Sequence, residues 1–249
     1  METNSKLTTA EFWTAPRPGF SFKRHDKNHN NDVFIMKYIP PTTTGTCIEI
    51  GSYPGPHLAT FGDLGYELYG VDFNPDNAIG LPGWLTAEGF KVGKFWNADV
   101  LEFAPEMVFD VVASFGFIEH FTNYEEMILK HAVLVNDGGY LLITTPNFRG
   151  SIQYWLHKTF DKENLAIHNV QSMRPEVWAE ILKKQGFEII YHGYFGGFWF
   201  WKGQPELGFI KRKLIWIIER IITRIRHLLW FQSPGFSAYC GIVARRINT

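Results

Sequence analysis

The chain has 249 residues, 45% of them hydrophobic, and a formal charge of −1. Its length favours one α/β domain with a large core, and the near-zero charge argues against a surface built to attract nucleic acid. The N-terminal residues lack an apolar stretch of signal-peptide length, and no run of about 18 apolar residues occurs, so we expect neither secretion nor a membrane span. Cys47 and Cys240 lie in strand-like apolar runs without metal-ligand spacing. We interpret them as buried, reduced thiols of a cytoplasmic protein.

Residues 1–40 form an N-terminal arm and helix in this prediction. Up to about Asn31 the sequence mixes charge, Asn and Pro, as in "RPGFSFKRHDKNHNND". Such a composition predicts an arm rather than a packed element. The next stretch, "VFIMKYI", has the apolar spacing of a short helix. We expect residues 41–249 to form the main domain.

The main domain begins with the pattern of a βαβ unit. A buried strand, "TCIEIGS", is followed by the helical pattern "PHLATFGDLG", which Gly65 closes, and by a second strand, "YELYGVDFN". Three more strands lie within "FKVGKFWNADVLEF", "FDVVASFGFIEHF" and "GYLLITTPN", with the helix "NYEEMILKHAVLVNDGG" between the last two. Strands that alternate with helices predict a doubly wound, mainly parallel sheet.

The C-terminal part adds a helix, "RPEVWAEILKKQG", a sixth strand, "FEIIYHGYF", and a last strand, "SAYCGIVARR". Residues 198–233, between these two strands, form a predicted helical insertion. Its aromatic start, within "GYFGGFWFWKG", is typical of a pocket wall or a contact surface. Residues 208–231 then repeat apolar side chains at helical spacing, which predicts one amphipathic helix. The predicted apolar stripe consists of Leu214, Ile218, Ile221, Ile225 and Leu228.

Glycines after the first strand predict a ligand-binding turn. Gly51 and Gly55 lie where the first strand of a doubly wound sheet meets a helix N-terminus. A dinucleotide fingerprint would have a second glycine where Tyr53 stands, so a bound pyrophosphate is disfavoured. Glu49, just before the first glycine, would repel a phosphate but suits the ammonium group of an amino-acid-like ligand. Asp72, at the end of the second strand, can accept hydrogen bonds from ribose hydroxyls.

Five segments in this order resemble the class I S-adenosylmethionine-dependent methyltransferases. They are "EIGSYPG", "VDFN", "NADVLEF", "FDVVASFGFIEHF" and "LVNDGGYLLITTPN"; the resemblance covers residues 41–148, with a weaker match in "RPEVWAEILKKQGFEII". It implies S-adenosyl-L-methionine as the cofactor and a Rossmann-like α/β fold. The expected sheet is doubly wound, mainly parallel and seven-stranded, with an antiparallel last strand after a helical insertion. Tyr53 departs from the pattern at the middle glycine of the loop, and Asp137 replaces the usual Pro before the double glycine.

The resemblance also assigns cofactor-binding residues by position. The acidic glycine loop, with Glu49, Gly51, Tyr53 and Gly55, would hold the methionine part, and Asp72 the ribose. The other positions are Asp99 and Val100 at the adenine, Ser114 and Phe115 along the methionine and methyl end, and Phe73 and Phe117 in the pocket wall.

Two histidines are the candidates for a catalytic base. Methyl transfer to a hydroxyl benefits from a group that accepts the proton, and imidazole is suited to this at neutral pH. His120 follows the fourth strand beside the expected methyl group, and His168 precedes a helix that commonly closes over such sites in the family. Structural roles remain open for both. Glu119 is interpreted as a helix-start charge, and His57 as a packing or cofactor-edge residue.

The acceptor is narrowed by motifs that the sequence lacks. After the fourth strand stands "SFGFIEH" instead of the D/N-P-P-Y/F run of enzymes that methylate base amino groups, so we expect no nucleic-acid substrate. No acidic trio occurs where the catechol-type enzymes bind magnesium, so we expect no metal. A small polar acceptor remains, with a sugar or glycan precursor favoured because tryptophans stack on flat groups. Methylation on oxygen is favoured over nitrogen.

Two alternatives stay open at this stage. In the first, the acceptor is lipid-soluble or lipid-linked and the enzyme works at the inner face of a membrane, which it contacts through residues 208–231. In the second, the chain is a non-catalytic interaction module that keeps the fold. The helix within 208–231 is interpreted as a lid over the cleft or as the interface of a homodimer, with membrane contact as the alternative.

Overall fold

A computed structural model describes residues 6–15, 20–199, 208–225 and 232–247. Its centre is a seven-stranded sheet in the order β3-β2-β1-β4-β5-β7-β6. The strands are β1 (Thr46–Ile50), β2 (Glu67–Asp72), β3 (Val92–Asn97), β4 (Phe109–Phe115), β5 (Val135–Pro146), β6 (Phe187–Phe198) and β7 (Ser237–Arg246). Strands β1 to β5 pair in parallel, and β7 is antiparallel to both β5 and β6. This arrangement confirms the fold class expected from the sequence.

Helices cover both faces of the sheet. They are α1 (Ala10–Thr14), α2 (Asn30–Tyr38), α3 (Pro56–Asp63), α4 (Asp76–Ala87), α5 (Tyr124–Val133), α6 (Ser151–Phe160), α7 (Lys162–Ala166), α8 (Pro175–Lys184) and α9 (Phe209–Ile225), with short 3-10 helices at Ile118–His120 and Val170–Ser172. The sequence patterns did not predict α1, α4, α6 or α7. In α4 the signal is obscured by Pro82 and two glycines, yet the helix forms because Leu81 and Leu85 are fully buried.

The parallel register brings the carboxyl ends of neighbouring strands to one edge of the sheet. Ile50 of β1 pairs with Val71 of β2, and Asp72 pairs with Asn97 of β3. Two apolar clusters, one on each face, hold the strands in this register. Cys47 and Cys240 are buried free thiols, as the sequence predicted.

The N-terminal segment packs more closely than the sequence predicted. Residues 6–15 do not extend away from the domain, because Lys6 forms a β-bridge with Phe121 and the Leu7 N–H donates to the His120 carbonyl at 2.8 Å. Helix α2 buries Phe34 against the Phe195 ring of β6. The boundary proposed between residues 40 and 41 stays a prediction.

Helix α9 lies in the insertion between β6 and β7, and its buried face differs from the predicted stripe. Ile215 is buried against Leu156 and Phe160 of α6, and Ile218, a member of the predicted stripe, packs partly buried against the same cluster. Three members of the predicted stripe, Leu214, Ile221 and Ile225, are instead exposed; Leu228 lies outside the described residues. Within the described part of the chain, none of the helices combines the length and apolar character that a bilayer crossing requires.

Candidate active site

The turn after β1 requires glycine at two positions. Gly51 has φ +75°, and a Cβ atom there would lie 2.7 Å from the Phe117 ring. Gly55 has φ +83°, and its Cβ would lie 2.3 Å from Leu81 of α4. Both positions therefore combine a left-handed backbone with a close neighbour, which only glycine tolerates. The turn leads into α3, whose N-terminus opens at the same edge of the sheet.

Asp72 is held at the end of β2 by backbone donors. Its Oδ2 accepts from the Tyr53 N–H at 3.1 Å, and its Oδ1 accepts from the Asn74 N–H at 2.8 Å. The Tyr53 ring contacts Phe20 and Phe22, with centroids 5.5 and 5.9 Å apart. The tyrosine at the usual glycine position is thus accommodated by aromatic residues of the N-terminal segment.

These residues border a first chamber of about 130 Å³ at the ends of β1, β2 and β4. Eight residues assigned from the sequence line it: Gly51, Tyr53, Asp72, Phe73, Val100, Phe115, Phe117 and His120. Three further lining residues, Lys6, Thr8 and Trp13, come from the N-terminal segment and were missed, because that segment was interpreted as an unpacked arm. The Trp13 ring packs edge-on against His120 with centroids 4.9 Å apart.

The remaining assigned residues lie behind the chamber wall or beside it. Glu49 is buried and its Oε2 makes no hydrogen bond within the described residues; burial and the nearby Asp72 charge raise its pKa. Asp99 forms an ion pair with Lys6 and accepts from the Leu101 N–H at 2.9 Å. The Ser114 hydroxyl is buried under the sheet end. Gly55 packs against Leu81, as described above.

A second chamber of about 290 Å³ adjoins the first and shares Phe115, Gly116 and His120 with it. Its wall is unusually rich in imidazoles. The five histidines that line it are His25, His29, His57, His120 and His168. The structure therefore brings the two predicted bases together, with ring centroids 4.6 Å apart. It also adds His57, which stacks on Phe115 at 4.0 Å.

Both candidate bases are held in one tautomer. The Nδ1–H of His120 donates to the Ile167 carbonyl at 2.9 Å, and that of His168 donates to the Asn164 carbonyl at 2.6 Å. Burial lowers the pKa of His120 to about 4, and burial with the neighbouring His120 lowers the pKa of His168 to about 3. Both imidazoles are therefore neutral at pH 7, and Nε2 of each is the nitrogen left to accept a proton.

Glu119 is a further residue whose place in the site the sequence interpretation missed. It lines the second chamber and is fully buried, and neither carboxylate oxygen bonds to another residue in the described part of the chain. Burial raises its pKa to about 8. The available signal was an acidic residue inside the apolar run "GFIEHF". Glu119, His120 and His168 also bring potential ligand atoms within 4.8 Å of one another, as does a second group built around Asp32.

Comparisons with known proteins agree with the observed fold. A family model described as a methyltransferase domain matches residues 24–192. No curated protein matches the chain.

Three solved structures have a similar fold at low sequence identity. A candidate methyltransferase of Bacillus halodurans is 14% identical with a TM-score of 0.61, over 88% of this chain and 99% of that one. Phosphoethanolamine N-methyltransferase 2 of Haemonchus contortus, solved with S-adenosyl-L-methionine, is 19% identical with a TM-score of 0.58, over 88% and 52%. A SAM-dependent methyltransferase of Archaeoglobus fulgidus is 20% identical with a TM-score of 0.54, over 87% and 93%.

Proposed function

The chain belongs to the methyltransferase-domain family and is an S-adenosylmethionine-dependent methyltransferase. We propose that it methylates an oxygen of a small polar, sugar-like acceptor. The acceptor occupies the second chamber and the cofactor the first. Family membership sets aside the alternative of a non-catalytic interaction module. The observation that carries the proposal is the wall of Phe115, Gly116 and His120, which both chambers share.

The residues of the first chamber fit S-adenosylmethionine. Asp72 stands where it would bind the ribose hydroxyls, and Phe73 and Val100 provide an apolar wall for the adenine. The buried Glu49 Oε2, which has no hydrogen-bond partner in the part of the chain that the structure describes, would accept from the ammonium group beneath the glycine turn. When bound, the cofactor supplies an electrophilic methyl group on a sulfonium.

The residues of the second chamber orient the acceptor and receive its proton. Holding two reactants in position contributes on the order of 7 to 11 kcal/mol to such a reaction. A hydroxyl acceptor must also lose a proton as its oxygen gains the methyl group, and Nε2 of His120 or His168 is the acceptor atom. An amine acceptor that enters unprotonated would need no such base in the transfer itself, so this wall favours oxygen.

A polar groove next to the second chamber supports an acceptor larger than a simple metabolite. The groove has a volume of about 910 Å³ and shares His25, His29 and Tyr239 with the chamber. Lys23 and Lys27 also line it, and the exposed Trp199 stands at its rim. Cationic side chains with an exposed indole suit a sugar that carries a phosphate or carboxylate. Of the predicted aromatic surface, the residues from 200 to 203 lie outside the described residues.

Product analysis with a labelled methyl group tests the proposed function. The protein is incubated with methyl-¹³C S-adenosylmethionine and matched pairs of acceptors, such as sugar phosphates or nucleotide sugars and their amino-sugar counterparts. We expect a ¹³C signal of a methyl ether, and a weaker signal from an Asp72→Ala control at the same subsaturating cofactor concentration. Label found only on nitrogen would contradict the choice of oxygen.

A lipid-linked acceptor is the second candidate, and the surface of α9 favours it. Leu214, Ile217, Ile221 and Ile225 lie within about 80° of one another around the helix at 100° per residue, and all four are exposed. Lys213, Arg220 and Arg224 follow on one side of this apolar face. An exposed apolar stripe bordered by cations suits contact with an anionic bilayer. On this proposal the protein works in the cytoplasm, peripheral to the inner face of a membrane.

A further inference from the structure

Four potential metal ligands converge on the wall of the second chamber that faces the N-terminal segment. His25 and His29 precede α2, Asp32 lies in its first turn, and His57 lies in the first turn of α3. Each of the three imidazoles presents Nδ1 to the Asp32 carboxylate. In the sequence the first three residues have the spacing H-x₃-H-x₂-D, and the packing of α2 on α3 adds the fourth.

The distances from the Asp32 carboxylate to the three imidazoles are close to those between ligand atoms around a small divalent ion. The Nδ1 atoms of His25, His57 and His29 lie 3.0, 3.2 and 3.9 Å from the nearer Asp32 oxygen. A tetrahedral site with bonds of 2.0 to 2.2 Å has edges of about 3.4 Å between its ligand atoms. All four donors lie within 4.8 Å of one another, so small side-chain shifts complete the coordination.

The hydrogen bonds within the cluster leave one potential ligand atom without a partner among the described residues. His25 and His57 bond to Asp32, but Nδ1 of His29 is buried and has no hydrogen-bond partner among the described residues. The His29 ring stacks on His25 at 3.8 Å. A buried imidazole nitrogen without a partner is costly unless another group occupies the position it faces.

We propose that these four side chains bind one divalent first-row transition-metal ion, most readily Zn²⁺. Imidazole nitrogens favour zinc, copper, iron and nickel, whereas magnesium, calcium and manganese prefer oxygen ligands. The absence of a metal was predicted from the missing acidic trio of the catechol-type enzymes, and this site uses a different donor set. Three of its ligands line the second chamber, so the ion lies at the chamber wall. Its role there, polarising an acceptor oxygen as a Lewis acid, rests on the proposed function.

Metal titration of the full chain tests the site without cofactor or acceptor. After dialysis against a chelator, calorimetry with Zn²⁺ should show one equivalent bound, and Co²⁺ should give the visible absorption of a nitrogen- and oxygen-ligated ion. His29→Gln removes a ligand whose Nδ1 makes no hydrogen bond within the described residues. We expect His29→Gln to weaken Zn²⁺ binding at least about tenfold and Asp32→Asn to weaken it about a hundredfold. Removal of a group that only hydrogen-bonds to a metal ligand already lowers metal affinity about 10- to 100-fold.

The matched control is His192→Gln, which changes an exposed histidine of β6 outside the cluster. It should bind Zn²⁺ like the unmodified chain. Failure of the unmodified chain to bind a stoichiometric ion, or equal affinity of His29→Gln and His192→Gln, would overturn the site. Stoichiometric binding with turnover unchanged after chelation would keep the site and overturn its role on the acceptor. Neither result depends on which atom is methylated.

Discussion

At the scale of single residues, Glu119 has the most distinctive surroundings. Its carboxyl group is fully buried beside His120, and its pKa is raised by burial to about 8 from an ordinary value of 4.5. An unfolded chain releases this proton near the ordinary value, whereas the folded protein keeps it until about pH 8. Because the unfolded state binds fewer protons in this interval, folding stability contributed by Glu119 falls as the pH rises.

Glu119→Gln should therefore stabilise the fold more at high pH than at low pH. The amide keeps the shape of the carboxyl group but has no proton to release. We expect the difference in unfolding free energy between variant and unmodified protein to grow by about 1.4 kcal/mol per pH unit between the two pKa values, then to level off. Urea unfolding at about pH 5, 6.5 and 8 measures it. A difference that is constant with pH would show that Glu119 titrates normally.

The base assignment predicts a selective loss of turnover. His120→Gln or His168→Gln should lower turnover by about a hundredfold, because proton acceptance acts in the transition state, while the affinity for S-adenosylhomocysteine stays within about threefold. Only one of the two needs to behave this way. Since both pKa values lie at about 4 or below, neither histidine should produce an acidic limb in the rate above about pH 5. His192→Gln is the control; near-normal turnover in both test variants would refute the assignment.

At the scale of elements, the N-terminal segment is the cover of the first chamber. With Lys6, Thr8 and Trp13 in its wall the chamber has about 130 Å³, whereas ligand pockets typically have about 300 to 1,000 Å³. Entry of a nucleoside-sized cofactor therefore requires displacement of this segment. Its contacts with the domain include the Leu7 hydrogen bond, the Lys6 ion pair with Asp99, the hydrogen bond that Asn74 Nδ2 donates to the Trp13 carbonyl at 3.2 Å, and the ring of Trp13.

Trp13→Ala should speed the release of S-adenosylhomocysteine by about tenfold, because removal of a large aromatic contact weakens the closed position. Stopped-flow displacement measures the dissociation rate. Glu11→Ala changes an exposed neighbour in the same short helix and should leave the rate unchanged. Equal rates in both variants and the unmodified protein would mean that the segment does not gate the chamber.

Helix α9 makes the lipid-linked alternative testable. Vesicles containing anionic lipid should float the protein at low salt, and binding should fall at least about tenfold when Lys213, Arg220 and Arg224 are changed to Gln, because each contributes about 1 kcal/mol near such a surface. Lys183→Gln with Lys184→Gln, on α8, is the control for charge alone. Absence of flotation together with a dimer in solution would assign the exposed apolar face to a second copy of the chain.

At the scale of the whole molecule, the regular parts of the fold were predictable and the contacts of irregular segments were not. Apolar runs in the sequence predict the seven strands, and Asp72 lies at the end of one of these strands. The site residues within residues 6–32 could not be predicted in this way. Polar segments with Pro and Asn have no periodicity from which their packing against the domain could be inferred. His25 and His57 are 32 positions apart in sequence, and only the packing of α2 on α3 brings them to Asp32.

The prediction of the apolar stripe of α9 was largely wrong for a related reason. Apolar residues surround much of that helix, so periodicity alone did not determine which side packs. The face that contacts α6 contains Ile215, one position away from the predicted Leu214. The place of Glu119 in the site was missed because the sequence does not distinguish a buried glutamate from an exposed one at the start of a helix. Only the surrounding residues in the fold make that distinction.

Calorimetric titration with S-adenosylhomocysteine shows whether the chamber at the ends of β1, β2 and β4 binds the cofactor. Charged hydrogen bonds contribute about 1.5 to 3 kcal/mol each, so Asp72→Ala should weaken binding at least tenfold. Asp76→Ala, in the first turn of α4, should bind like the unmodified protein. One binding site with this difference between the two variants is the predicted result. An unchanged dissociation constant in a folded Asp72→Ala protein would contradict the placement of the cofactor.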